Sequence, residues 1–450
     1  MRRFGQAVLG LALASVLFQV AGRPTPHATR SERWIGTWGF VPLPAPLGTL
    51  IPGAVVPAPP GPMPLSVYTP PPAPPPFRPI GPPAPLDNPG NVPVDTSTPE
   101  LSNVTVRQVV RISLGGSRLR LRFSNEASAE ALPLTAVHVG EAGPDGTVVP
   151  GSDRLVTFAG QTSVVLPAEA PVLSDPVDLP TRALEKLYVS THLPGMVPTR
   201  SPRSLFEYVA GRPGDYTGWA TLPGARLMRI PAYVTLVEVQ TSTAAGVIVA
   251  LGDSITQGSA STANAFRGWP DRLAERLATQ HWAVVNAGIG GNRLLRYGVG
   301  PSALARFDRD VLSVPGVKTI ILLEGINDIG VGLRSVPAAE PVTVEALEAA
   351  DRQLIARAHE HQLRIIGATL TPYQGAAYAS PEGEIVREAL NHWIRSSGTF
   401  DGVIDFAPVV ADPNNPLSLD QRYNETDHLH PNDAGYKVMG DAIDLSVLVK

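Results

Sequence analysis

From about Ala245 the apolar residues of this chain change period, and that change restricts the fold more than any other feature. Before it, apolar and polar residues alternate in twos, as in Arg118-Leu119-Arg120-Leu121-Arg122-Phe123, the pattern of a strand with one buried face. Beyond it, Val247-Ile248-Val249-Ala250-Leu251 is continuously apolar, and residues 270–280 place Leu273 and Leu277 four apart among Arg and Glu. That is a buried strand followed by an amphipathic helix. The unit repeats, with strands predicted at 283–286, 319–323, 364–368 and 403–405 and helices at 302–312, 344–361, 382–396 and 432–443. Such alternation implies right-handed crossovers and a parallel sheet covered on both faces.

The first half reads differently. Short strands are predicted at 34–40, 104–112, 134–139, 163–166, 177–179 and 187–192, separated by Gly, Pro, Asp and Asn turns, which points to an all-β sandwich or jelly-roll module. Twenty of the 48 prolines lie between Val41 and Gly90. A run that lacks backbone donors forms no helix or central strand, so about 41–90 is read as an inserted loop or spacer. The expected organisation is a leader at 1–22, a β-rich module at 34–240 containing the insertion, and an α/β domain at 245–450. No repeat at a fixed period is found.

Arg2 and Arg3, an apolar stretch over 7–20, and the small residues Ala21 and Gly22 form an export-signal pattern, so a secreted or periplasmic protein is expected. No window reaches the roughly 20 apolar residues of a membrane helix, and no stable span is expected in the mature chain. The chain has no cysteine, which leaves stability to core packing rather than disulfides. A net charge of −4 without a basic run argues against nucleic acid as a partner.

Four polar clusters carry the chemistry: Gly252-Asp253-Ser254-Ile255, Asn286-Ala287-Gly288-Ile289-Gly290-Gly291, Gly325-Ile326-Asn327-Asp328 and Asp427-His428-Leu429-His430. The first three fall at predicted strand ends, where parallel sheets bind ligands. A serine nucleophile needs a base, usually His, oriented by a carboxylate. His430, three residues after Asp427 on a polar turn, can offer Nδ1 to the carboxylate and Nε2 to Ser254; His428, adjacent to Asp427, is the less suited competitor. His359 and His361 close a charged helix at the opposite end of the sheet. The N–H groups of Ser254 and Gly291 and the side-chain amide of Asn327 are candidate donors to an oxyanion. Each also reads singly as a helix cap, a left-handed turn or an Asx turn. Together they point to acyl transfer.

In their order and spacing these blocks resemble the GDSL esterase/lipase family, or SGNH hydrolases, with Ile255 in place of the usual Leu. The resemblance covers roughly 245–450. It implies a three-layer α/β/α sandwich with a five-stranded parallel sheet, Ser254 as nucleophile, His430 as acid and base, Asp427 as its orienter, and Gly291 with Asn327 in an oxyanion hole. It further implies esters as substrates, and members with an added β-rich module are similar to carbohydrate acetylesterases. The expectation is an esterase acting on short acyl groups of an acylated carbohydrate. The alternatives are a lipase or lysophospholipase and a non-catalytic polysaccharide-binding protein; a protease would share the same triad. Thr256 breaks the Gly-x-Ser-x-Gly elbow, Arg293 stands where a dinucleotide loop needs its third glycine, and no Walker loop or His-Glu-x-x-His motif occurs, so neither metal nor organic cofactor is expected.

Overall fold

Strand β10 (Gly246–Gly252) is buried along its whole length, and it sits inside a five-stranded sheet paired in parallel throughout. The computed structural model describes residues 31–41, 94–95, 101–126, 128, 130–196, 205–230, 232–332 and 342–449. The expected leader at 1–22 and nearly all of the proline-rich insertion lie outside the described residues.

The β-rich half contributes β1 (Arg33–Gly39), β2 (Ser102–Arg111), β3 (Arg118–Ser124), β4 (Ala136–Glu141), β5 (Pro171–Leu173), β6 (Lys186–Met196), β7 (Leu205–Val209), β8 (Arg226–Ile230) and β9 (Val234–Thr241). They form two sheets. One has the order β1-β9-β3-β5, and the other runs β8-β7-β2-β6-β4, flanked by Val94–Asp95 and Arg154–Leu155. All pairings are antiparallel except that of Val94–Asp95 with β8. Along β3, Leu119, Leu121 and Phe123 are fully buried while Arg120 and Arg122 are not, as the alternation predicts. Gln108 of β2 ties the sheets together, donating to Val234 O at 3.0 Å and accepting from Val234 N at 3.2 Å.

Three readings of this half are corrected. Residues 177–179 make only an isolated bridge from Val177 to Leu119, and Thr135 separates Leu132–Leu134 from β4. β5, β7, β8 and β9 are not among the predicted strands. β9 hides its period because its polar face is also buried: Glu238 lies under Arg120, 2.6 Å away, and Arg122, 3.7 Å away.

In the second half β10 is followed by α1 (Ser254–Gln257), α2 (Trp269–Leu277), β11 (Trp282–Gly288), α3 (Ala303–Phe307), β12 (Val317–Leu323), α4 (Ile326–Gly332), α5 (Val344–Glu360), β13 (Arg364–Ala368), α6 (Pro381–Ser396), β14 (Val403–Ile404), α7 (Ala407–Val410) and α8 (Asp433–Ala442). The sheet order is β11-β10-β12-β13-β14. Helices α2, α7 and α8 pack together, and α3, α5, α4 and α6 form a second group, as right-handed crossovers on two faces require. The predicted 302–312 helix is α-helical only through Phe307 and continues as a π-helical turn, Asp308–Leu312. No helix among the described residues is long and apolar enough to cross a membrane.

The two halves share one core, which contains Ile35, Val237 and Val239 together with Val247, Val285 and Ile320. Their seam is the free edge of β11. Ser113 Oγ accepts from Val284 N at 2.9 Å and lies 3.0 Å from Val284 O, and Gly36 N donates to Pro315 O at 2.9 Å. A Cβ on Gly39 would stand 2.5 Å from the Val285 side chain, so a larger residue would push β1 off β11.

Candidate active site

The order β11-β10-β12 reverses direction at β10, and the crevice at such a switch point lies beyond the carboxyl ends of the strands. Ser254 follows β10 there as the first residue of α1. Asp253 caps that helix, its Oδ1 accepting from Ile255 N at 2.8 Å. A Cβ on Gly252 would fall 2.4 Å from Leu323 O and 2.3 Å from Thr256 Oγ1, so only glycine lets the chain turn so tightly beside β12.

His430 arrives from the segment before α8, and its Nε2 lies 2.8 Å from Ser254 Oγ. Its Nδ1 is 2.5 Å from Asp427 Oδ2. The carboxylate can only accept, so Nδ1 carries the hydrogen and Nε2 is left to accept the serine proton. Asp427 Oδ1 takes the N–H groups of Leu429 and His430, both at 2.9 Å. Burial alone would raise this carboxyl, but the His430 hydrogen bond, the His430 charge and the two N–H groups bring it below its ordinary value. Thr426 and His428 flank it at φ +69° and +60°, left-handed conformations that fold the turn back on itself. His428 faces away, its Nδ1 3.2 Å from Asn424 Nδ2. His359 binds Asp401 at 3.0 Å beside the amino end of β13.

The three candidate oxyanion donors lie at the same rim. Gly291 adopts φ +75°, and among the described residues neither its N–H nor that of Ser254 is paired with an acceptor. Asn327 Nδ2 donates one hydrogen to Asn292 O at 2.9 Å, and its Oδ1 accepts from Tyr378 OH at 3.2 Å. That fixes the amide with a second N–H to spare. Burial raises the Tyr378 hydroxyl well above its ordinary value and keeps it a donor. Asp328 accepts from Leu294 N at 2.6 Å and Leu295 N at 3.0 Å, which pins the Gly291 loop to α4.

Sequence reasoning missed the group beneath. Arg306 of α3, whose side chain is fully buried, donates to Gly252 O at 2.9 Å, Ala287 O at 2.7 Å and Asn292 Oδ1 at 2.9 Å, and pairs with Asp310 at 3.1 Å. One guanidinium thus joins the ends of β10 and β11 to the residue that orients Asn327. An Arg within a helix gives no warning of this, although its place on the core-facing side of an amphipathic pattern is a detectable anomaly. Burial raises Asp253 and Asp328 to about 6 and Glu324 well above its ordinary value. Asp253 Oδ2 and Glu324 Oε2 are buried without a hydrogen-bond partner among the described residues.

A parallel sheet with an alcohol, an imidazole and a carboxyl joined in sequence at its carboxyl edge defines a hydrolase. Residues 250–438 match the model of the GDSL-like Lipase/Acylhydrolase family, so the chain carries a domain of that family and is an ester-hydrolysing enzyme. No curated protein matches the chain. Among solved structures, a lipolytic protein of the G-D-S-L family from Desulfitobacterium hafniense is 24% identical, covering 44% of this chain and 97% of that one with a TM-score of 0.34. A GDSL-like lipase from Bacteroides thetaiotaomicron is 18% identical, covering 45% and 87% with a TM-score of 0.33. The acetyl xylan esterase AlAXEase is 20% identical, covering 44% and 96% with a TM-score of 0.34.

Proposed function

We propose that this protein is an exported serine esterase that removes short acyl groups, chiefly acetyl, from carbohydrate through an acyl-enzyme. The observation that carries the mechanism is the unbroken Ser254–His430–Asp427 chain of hydrogen bonds, at 2.8 and 2.5 Å. His430 takes the Ser254 proton as Oγ attacks the ester carbonyl. The N–H groups of Ser254 and Gly291 and the Asn327 amide receive the oxyanion. His430 then returns the proton to the departing sugar hydroxyl, and water repeats the cycle to release the acid. Asp427, held ionised by its three hydrogen bonds, stabilises the imidazolium.

The ester class is supported by the family match. Export rests on the residue pattern over 1–22, and the short acyl group and carbohydrate on the β-rich module at 34–240 that accompanies the catalytic domain at 245–450. A serine-directed phosphonate should label the protein once, at Ser254, and aryl esters should be cleaved fastest as acetate. Acetylated xylan should release acetate under the same conditions. Preference for palmitate would replace this reading with a lipase, and failure to label would leave the triad without a nucleophile.

A further inference from the structure

The segment Ser259–Gly268, which follows the nucleophile, is held in a conformation its sequence does not favour. Ala260, Asn264 and Phe266 stand at φ +68°, +58° and +58°. Asn tolerates that region, but Ala does so poorly and a bulky aromatic there is an outlier that the surroundings must impose.

Two sets of groups impose it. At its start the segment is fastened to the site, where the N–H groups of Gly258 and Ser259 donate to Ser254 O at 3.0 and 2.9 Å and Tyr436 OH donates to Ser259 O at 2.7 Å. Thr262 binds Asp433, three residues beyond His430, through its N and Oγ1, both at 2.7 Å. The second set comes from the β-rich half. Arg111 and Lys186 are direct cross-strand neighbours on β2 and β6, a like-charge pairing that is unfavourable unless both charges are used. Arg111 donates to Phe266 O at 3.1 Å and Lys186 to Asn264 O at 3.2 Å. Their cationic groups lie 6.0 and 5.2 Å from the Phe266 ring centre. The ring itself packs on a cluster on the outer face of that sheet that includes Val109, Tyr188, Tyr208 and Leu227.

We propose that the β-rich half is a clamp on the catalytic site, in which Phe266 is a positioning residue whose seating on the β2–β6 sheet fixes the reach between Ser254 and His430. The strap touches the nucleophile's carbonyl at one point and the helix after the base at another, so a shift of its middle alters the separation of the two reacting groups. The inference rests on the proposed roles of Ser254 and His430. It says that the module's work includes the chemical step.

The test uses the full chain and a short aryl ester. Phe266→Ala should lower kcat by about 10- to 100-fold, the cost of misplacing reacting groups by roughly an ångström, with KM nearly unchanged. The rate of phosphonate labelling should fall in proportion, and Phe266→Tyr should restore both. Should Phe266→Ala not fold, Arg111→Met removes one half-buried clasp, together with its 2.9 Å pair to Glu275, and should still lower kcat and labelling together. Wild-type kcat in a folded Phe266→Ala or Arg111→Met protein, or a change confined to KM, would overturn the clamp. Ser254→Ala separates the two proposals, since an active Ser254→Ala protein defeats the mechanism itself, whereas an inactive one beside a fully active Phe266→Ala protein defeats only the clamp.

Discussion

The β-rich half buries Arg107 and the α/β half buries Arg306 as well as Arg387, and the first two are put to different uses. Arg107 of the β-rich half donates to the carbonyls of Gly146, Ala220 and Trp219 and to Ser190 Oγ, so it holds loops in place around a sheet. Arg306 of the α/β half gathers strand ends and Asn292, with Asp310 as its counter-charge. Burial lowers Arg107 to about 10, against the opposing pull of Tyr188 and Asp153. The same residue type thus braces loops in one half and the strand ends beside the candidate site in the other, and what separates the two is which carbonyls it reaches.

The sharpest way to break that division is at the nucleophile. Ser254→Ala should reduce kcat by about 10⁴-fold or more while the melting temperature stays put, because only the reacting atom is lost. Next come the arginines. Arg306→Met should cost about 3–5 kcal/mol in urea unfolding through its stranded buried partners, and the folded fraction should also lose kcat. Arg107→Met should cost a similar stability but leave kcat of the folded protein within about threefold, since its carbonyls do not touch the site. Equal losses of kcat would erase the contrast. Asn327→Ala should add about 2.7–4 kcal/mol to the barrier, read from kcat on a short aryl ester.

Smaller effects test the seam and the buried acids. Ser113→Ala leaves Val284 N–H without its acceptor and should lower stability by about 1–3 kcal/mol, with kcat little changed. A further signal is in pH. Asp253 and Asp328, raised to about 6, keep protons in the folded state that the unfolded chain loses near 4, so stability should fall as pH rises from about 4 through 6. Asp427, lowered, acts in the opposite sense, its contribution being complete above its unfolded value and lost as pH falls through the folded one. Melting curves between pH 4 and 8 should show the decline, and Asp253→Asn should make it shallower, with Asp328 still contributing.

The α/β half is readable because burial on both faces leaves strands such as 247–251 continuously apolar, and because Ser254, Gly291 and Asn327 come soon after those strands. His430 could be preferred over His428 since spacing from a carboxylate on a turn is local geometry. Long-range contacts left no such mark. Nothing local says that Arg306 reaches Gly252 O, 54 positions away, or that Phe266 seats on a sheet from the other half. β9 escaped for a related reason, as Glu238 looks like a solvent-facing residue until Arg120 is seen to cover it.

The single hydroxyl of Ser113 has a bearing on how the protein can be divided. Cut the chain near residue 245, and 282–288 becomes a bare outer strand, with the amide of Val284 turned to water and an apolar flank at Val285 uncovered. Exposed margins of that kind recruit strands from neighbouring copies, so a catalytic fragment made alone should clump at concentrations where the whole chain stays dispersed.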